Sequence, residues 1–222
     1  DIDQGFSESD LIFEHTFNLQ LAHQGYIEPH ACMVEVDGDD RIQIWVNNKD
    51  PFVLRGQLAA VWGLPESRIK LNTVKIGGDF GGKGSPMNIP LCYFLAKAAG
   101  RPVRMVFDYI EEFMAGNPRH PSAIHIRTGV KRGGTIVAHE AEVVFDSGAY
   151  AGFKPLGFLP GAAGAGGPYR MANARITAAM VYTNNVPCGH MRGPGEPQAV
   201  LAVESQLDCV ARAIGMDPYD FR

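Results

Sequence analysis

The chain has 222 residues, 45% apolar and 20% charged, which excludes a disordered segment or an extended coiled coil. Twenty Lys and Arg against 24 Asp and Glu leave a net charge of −4, spread along the chain without a basic block to grip a phosphate backbone, so nucleic acid is not an expected partner. No apolar run approaches the ~18 residues that cross a bilayer, so no membrane span is expected.

In chain order, Leu11 to Leu19 mixes apolar and polar residues with β-formers. Ala31 to Asp37 and Arg41 to Val46 flank the turn Gly38-Asp39-Asp40 as a hairpin whose second arm has a clean period of two. Pro51 opens a helix over Phe52 to Trp62, with Leu54, Leu58, Val61 and Trp62 at helical spacing and Gly63 and Pro65 closing it. Arg68 to Ile76 returns to strand, GGDFGGKG (77–84) intervenes, and Asn88 to Ala99 is an apolar helix stopped by Gly100. A short strand, Val103 to Phe107, leads to Asp108, which caps a helical turn carrying Glu111 and Glu112.

The second half starts with a long hairpin, Ile124 to Val130 and Thr135 to Phe145, around Lys131-Arg132-Gly133-Gly134. Gly148 to Gly167 is too rich in glycine for regular structure and too rich in Phe and Leu for a free linker, so a pinned loop is expected. Ile176 to Tyr182 adds a strand and Ala199 to Ile214 an amphipathic helix with Gly215 as its cap, after which Asp217-Pro218 starts another. The fold class expected is α/β or α+β, with mixed sheets and helices in two lobes, 1–120 and 121–222. A chain that begins without Met and stops inside an element reads as an excised part of a longer subunit. Asp1-Ile2-Asp3 lacks the basic start of a signal peptide, so the expected compartment is the cytoplasm, with the periplasm left open.

Chemistry is sparse outside the glycines. Cys32, Cys92, Cys188 and Cys209 form no Cys-x-x-Cys pair and read as thiols in a reducing compartment, and the histidines make no metalloprotease-type pattern. No residue is expected to ligate a metal directly. The 26 glycines, however, are clustered. The loop 77–84 lies between a strand and a helix, where backbone N–H groups favour an anion. Gly77, Gly82 and Lys83 satisfy G-x-x-x-x-G-K, but Gly84 stands where a P-loop has its Mg²⁺-holding hydroxyl, and Phe80 is bulky for a phosphate cradle. Ligand contact and a structural tight turn both remain open. Arg192, held in RGPGEPQ (192–198), is either presented rigidly to an anion or a pterin-type ring, or is a surface arginine in a turn.

Together GGDFGGKG, TNNVP (183–187) and MRGPGEPQ (191–198), with Glu28-Pro29-His30 ahead of the hairpin, make the chain resemble the molybdopterin-binding large subunit of the xanthine dehydrogenase, aldehyde oxidase and carbon monoxide dehydrogenase family, in its first molybdenum-cofactor-binding region. The similarity covers essentially the whole chain. It implies a molybdenum-molybdopterin cofactor, plain or as its cytosine dinucleotide, beside Phe80, Gly81 and Gly82, with Arg192 and Gly193 on the second loop. Lys49 falls where the family's usual pattern has a glutamine reaching a molybdenum oxo ligand. The resemblance further implies a molybdenum hydroxylase that oxidises an aldehyde or N-heteroaromatic small molecule, with water as the oxygen source. Expected partners are a second cofactor-binding region, which supplies the general base, and iron-sulfur and FAD domains or subunits. No catalytic residue is expected within this segment, which should be inactive alone.

Departures from the family pattern narrow the substrate. Gly84 and Pro160 stand where purine-hydroxylating members place a glutamate and an arginine, and Gly193 where the carbon monoxide branch places a copper-holding cysteine. A P-loop-like nucleotide-binding domain and a non-catalytic scaffold derived from the family are the alternatives.

Overall fold

In the computed structural model, which describes residues 1–150, 152 and 159–222, the chain forms two compact, discontinuous units. One comprises Asp1–Ala22, Arg119–Cys188 and Gly193–Arg222; the other comprises His23–Pro118 and Gly189–Arg192. The mixed α/β class is the expected one, but the first 22 residues fold with the second half of the chain, and 189–192 with the first.

The unit holding the chain ends, unit 1, is a four-stranded sheet of β1 (Leu11–Leu19), β6 (Ser122–Val130), β7 (Ile136–Asp146) and β8 (Asn173–Val181), in that spatial order. β6 and β7 are the long hairpin, β1 pairs antiparallel with β6 from Leu11↔Val130 to Leu19↔Ser122, and β8 runs parallel to β7. Ile124, Ile126, Val143 and Phe145 make the buried face of the hairpin, and α5 (Glu196–Ala213) covers it with Ala199, Ala202, Val203, Leu207 and Val210, spaced three and four apart. A 3₁₀ helix, Pro160–Gly166, adds Ala162 and Ala165 to this core. The expectation for 148–167 falls partly on 151 and 153–158, which lie outside the described residues. Helix α1 (Ile2–Ser7) had no apolar periodicity to announce it; the Asp1 side chain caps it by accepting from the N–H groups of Asp3 and Gln4. The terminal α6 (Pro218–Phe221) is capped likewise by Asp217.

Unit 2 is a second four-stranded sheet, of β4 (Ile69–Thr73), β3 (Ile42–Val46), β2 (Ala31–Val36) and β5 (Val103–Val106), in that order. The hairpin β2–β3 is antiparallel, whereas β3 and β4 are parallel, because α2 (Pro51–Trp62) carries the chain back between them. Asp50 caps α2, Pro51 takes its first turn, and Gly63 ends it in the left-handed conformation. α3 (Ile89–Ala99) packs Ile89, Cys92, Tyr93 and Ala96 on Val34, Ile44, Leu54 and Leu58. Asp108 and Glu111 form a capping box for α4 (Tyr109–Ala115), whose Glu112 is wholly buried. The strand expected to reach Ile76 stops at Thr73, and the chain runs irregularly into the glycine loop. No described helix is long and apolar enough to cross a membrane.

Candidate functional site

Unit 2 alone gathers the glycine loop, Lys49 and Arg192. Within the loop, the Asp79 carboxylate accepts from the N–H groups of Gly81 (3.0 Å) and Lys83 (2.6 Å), and the Asp79 carbonyl accepts from Gly82 N–H at 2.8 Å. These bonds fold the chain back so tightly that Phe80 sits at φ 46°, a left-handed conformation that costs a non-glycine residue roughly 1–3 kcal/mol. The strained residue is nevertheless 44% exposed, and strained backbone of this kind clusters at functional sites. Gly81 follows at φ 110°, and a Cβ there would lie 2.6 Å from the carbonyl oxygen of His190, so only glycine allows the two segments to approach.

The second segment is joined to the first at that point. Arg192 N–H donates to the Phe80 carbonyl at 2.8 Å, and the Arg192 guanidinium lies 5.7 Å from the Phe80 ring centroid, within cation–π range. Gln24 braces the same segment from below by donating to the carbonyls of Asn117 (2.8 Å) and His190 (3.1 Å). The Lys49 ammonium stands 3.4 Å from Asp79 Oδ2, and Lys49 N–H donates to the Lys83 carbonyl at 3.0 Å. Burial pushes the Asp79 carboxyl up, but the hydrogen bonds from Lys83 and Gly81 and the charge of Lys49 outweigh it and hold it below the ordinary value. Burial, assisted by Lys49, lowers His190 below the usual imidazole range, so it is neutral at pH 7.

Of the residues singled out from sequence, Lys49, Phe80, Gly81, Gly82 and Arg192 thus come together in unit 2. Gly193 belongs to unit 1, where its carbonyl accepts from Arg119 at 3.1 Å and its φ of 64° is left-handed. A Cβ at Gly193 would stand 3.0 Å from Glu196 Oε2, so a cysteine there would be strained as well as crowded. Gly84 has a consequence the sequence did not reveal: a Cβ at that position would meet Lys49 Cε at 3.2 Å. The two departures from the family pattern, at 49 and 84, are therefore neighbours in space.

Lys83 corrects the nucleotide-binding alternative. In a P-loop the lysine reaches into the phosphates, but here the side chain is 0% exposed and its ammonium is 2.5 Å from Glu28 Oε2, 4.9 Å over the Tyr26 ring. An inward, ion-paired lysine is not available to a nucleotide, and α3 does not begin until Ile89. Sequence reading passed over Asp79, Tyr26, Asn47, Glu112 and His190; the Asp inside the glycine loop was the signal available for the first, and the remainder carry no local signal.

A family model described as the molybdopterin cofactor-binding domain matches residues 1–222. The nicotinate dehydrogenase large molybdopterin subunit of Eubacterium barkeri is 34% identical over 222 residues, covering 100% of this chain and 52% of that protein. An aldehyde oxidoreductase of Megalodesulfovibrio gigas is 30% identical over 217 residues, covering 98% of this chain and 24% of that protein. Among solved structures, the aldehyde oxidoreductase from Desulfovibrio gigas superposes with a TM-score of 0.87 at 29% identity, covering 100% of this chain and 24% of that chain. Quinoline 2-oxidoreductase from Pseudomonas putida 86 superposes at 0.89 with 24% identity, a likeness of fold, covering 100% of this chain and 29% of that chain. The chain spans about half or less of the curated relatives it matches.

Proposed function

We propose, from the premise that this chain belongs over its whole length to the molybdopterin cofactor-binding domain family, that it holds a molybdenum-pterin cofactor in a hydroxylase acting on aldehydes or N-heteroaromatic compounds. The observation that carries the reading is the join between two irregular segments, Phe80 C=O with Arg192 N–H, which sets a guanidinium over an exposed, strained aromatic ring.

The residues present suit such a group. An anionic pterin calls for a fixed cation, N–H donors and a flat apolar wall, and the two segments offer Arg192, glycine backbone and the Phe80 ring. When bound, the group supplies the oxidation of substrate, with water as the oxygen source. The protein's own share is to hold and orient it. Arg192 binds negative charge bidentately, Phe80 shields one side from water, and Gly81 and Gly82 let backbone come close. Lys49, tied to Asp79, contributes a compensated charge rather than a bare one. Gly193, next to Arg192 in sequence, is proposed as a further cofactor-binding residue.

The missing purine-orienting charges at Gly84 and Pro160 favour an aldehyde or a simpler N-heterocycle over xanthine. Gly193 at its left-handed φ disfavours the copper-holding variant. A cytosine dinucleotide extension, iron-sulfur and flavin partners, a second cofactor-binding region and a cytoplasmic setting belong to the same proposal.

The test is Arg192→Ala in the full-length protein. Loss of a charge-assisted contact of about 1.5–3 kcal/mol should weaken cofactor retention roughly tenfold or more, with little change in Tm. Pterin and molybdenum content beside a melting curve reads this directly; full content with a lowered Tm would make Arg192 structural and remove the reading's main support.

A further inference from the structure

Beneath the glycine loop lies a charged network that the cofactor reading leaves without a role. Glu28, in the Glu28-Pro29-His30 segment, places one oxygen, Oε2, where both ends of the loop reach it. Gly77 N–H donates to it at 2.8 Å from the start of the loop, and the Lys83 ammonium at 2.5 Å from its end. Asn47 Nδ2 donates to the same oxygen at 3.0 Å and to the Pro29 carbonyl at 2.8 Å, while Asn47 Oδ1 accepts from Ala31 N–H at 3.0 Å. Glu28 is thereby anchored to the start of β2 and the end of β3.

A Cβ on Gly77 would lie 2.8 Å from Glu28 Cβ, so the loop is pressed against this side chain and does not merely pass it. The Tyr26 ring lies under the Lys83 ammonium at 4.9 Å, and its hydroxyl donates to the buried Glu112 at 2.8 Å, extending the support to α4. Burial pushes the Glu28 carboxyl up, but the hydrogen bonds from Lys83, Gly77 and Asn47 together leave it below its ordinary value, so it is ionised at neutral pH.

We propose that Glu28 and Lys83 form a latch that closes the glycine loop, and that Glu28 is a positioning residue for the group Phe80 and Gly81 contact. The proposal rests on the cofactor reading of that loop. Tying both loop ends to one atom leaves the intervening residues too short a path to relax, so Phe80 is kept at its positive φ and Gly81 against His190. Asp79 shapes the loop from within, but only a tie outside the loop can fix where it stands relative to the sheet.

The two partners differ in a way that makes the latch testable. The Lys83 side chain is 0% exposed whereas that of Glu28 is 39% exposed. Glu28→Gln leaves a buried, unpaired ammonium, which must drag the loop open to find water. Lys83→Met leaves a carboxylate that water can reach and that still accepts from Gly77 and Asn47. In the full-length protein purified with its cofactor, Glu28→Gln should raise hydrogen exchange of the Gly81 to Lys83 amides by about tenfold or more and lower bound pterin. Lys83→Met should do less, roughly threefold, and the double variant should return to the Lys83→Met level because the stranded charge is gone.

Unchanged loop exchange in both single variants would overturn the latch and leave the cofactor reading standing. Exchange that rises equally through β2, β3 and β4, with a matching fall in Tm, would make Glu28 a structural residue only and also overturn it. Loosened loop amides with pterin at its original level would overturn the positioning role of Glu28 and leave the cofactor reading standing. Should Glu28→Gln fail to fold, Lys83→Met decides alone: unchanged loop exchange there overturns the proposal.

Discussion

Among the described residues, the buried polar groups of unit 1 include a neutral hydrogen-bonded chain, whereas those of unit 2 include full charges. In unit 1, His139 is wholly buried and its Nε2 lies 2.8 Å from the Ala165 carbonyl, which can only accept, so the proton is on Nε2. Nδ1 must then accept from Thr128 Oγ1 (3.2 Å), Thr128 accepts from Gln206 Nε2 (3.2 Å), and Gln206 Oε1 accepts from His15 Nδ1 (2.7 Å). Every donor in this chain is paired, Gln206 Nε2 donating also to the Phe13 carbonyl at 3.1 Å, and burial lowers His139 so that it stays neutral. In unit 2 the corresponding buried groups are Lys83 and Glu112, both 0% exposed. Glu112 accepts from the Tyr26 hydroxyl at 2.8 Å, from His30 N–H, and from His30 Nδ1 at 3.0 Å. A neutral chain fixes register and packing at small electrostatic risk; buried charges are costly unless fully paired, and they tie a loop to its support far more tightly. The unit that carries the strained glycine loop is the one that uses them.

The largest break in this contrast should come from Glu112→Ala. Removing this buried carboxylate strands the Tyr26 hydroxyl and both His30 donors, and leaves the imidazole of His23, 3.7 Å away, without its neighbour, at about 1–3 kcal/mol for each buried donor left unsatisfied. Its pH dependence has a definite sign. Burial pushes Glu112 up, but hydrogen bonds from His30 and Tyr26 bring it down from 4.5 to about 2. A carboxyl lowered on folding stabilises fully above its unfolded value and loses that contribution as pH falls through the folded one. The stability gap between native protein and Glu112→Ala should therefore be constant above pH 4.5 and shrink from there towards pH 2, as measured by urea unfolding at a series of pH values. A gap that stays constant down to pH 2 would show that Glu112 is not held as an anion.

Thr128→Val sharpens the other side. It leaves His139 Nδ1 and Gln206 Nε2 short of a partner at nearly constant volume, for an expected loss of about 1–3 kcal/mol. Because the chain it breaks is in unit 1, Tm should fall while hydrogen exchange at residues 77–83 stays as it was; faster exchange there would mean that the neutral chain also supports the loop.

Smallest is Lys49→Gln. The side chains of Lys49 and Asp79 are 39% and 22% exposed, so their ion pair contributes about 0.2–1 kcal/mol to stability. The more telling readout is Asp79 itself, since loss of the cation should let its carboxyl rise towards the ordinary 3.8, observable by carboxyl NMR titration. An unmoved Asp79 would mean that the pair is not formed in solution, and Lys49 would again count as a free charge beside the loop.

Much of this molecule was legible from local chemistry. Alternation gave β2, β3, β6 and β7 within a residue or two, and the glycine and proline punctuation around 51–63 and 88–100 gave α2 and α3, because period, caps and turns are short-range properties written in adjacent residues. Helix α1 escaped because six residues hold too few apolar positions to show a period, and only its Asp1 cap announces it. The glycine loop and Arg192 were legible as motifs, which named the family. Their junction was not, since Phe80 and Arg192 are far apart in sequence and meet through one backbone hydrogen bond. Nor could sequence show that Lys83, outwardly a phosphate-binding lysine, turns inward onto Glu28, or that Lys49 and Gly84 share one space. Direction, pairing and burial of a charge depend on which distant groups the fold brings within a few ångströms, and Coulombic and desolvation energies are large only there. The residues' identities and local shapes were set by the sequence alone; which charges are buried, and what they hold in place, was decided by the tertiary structure.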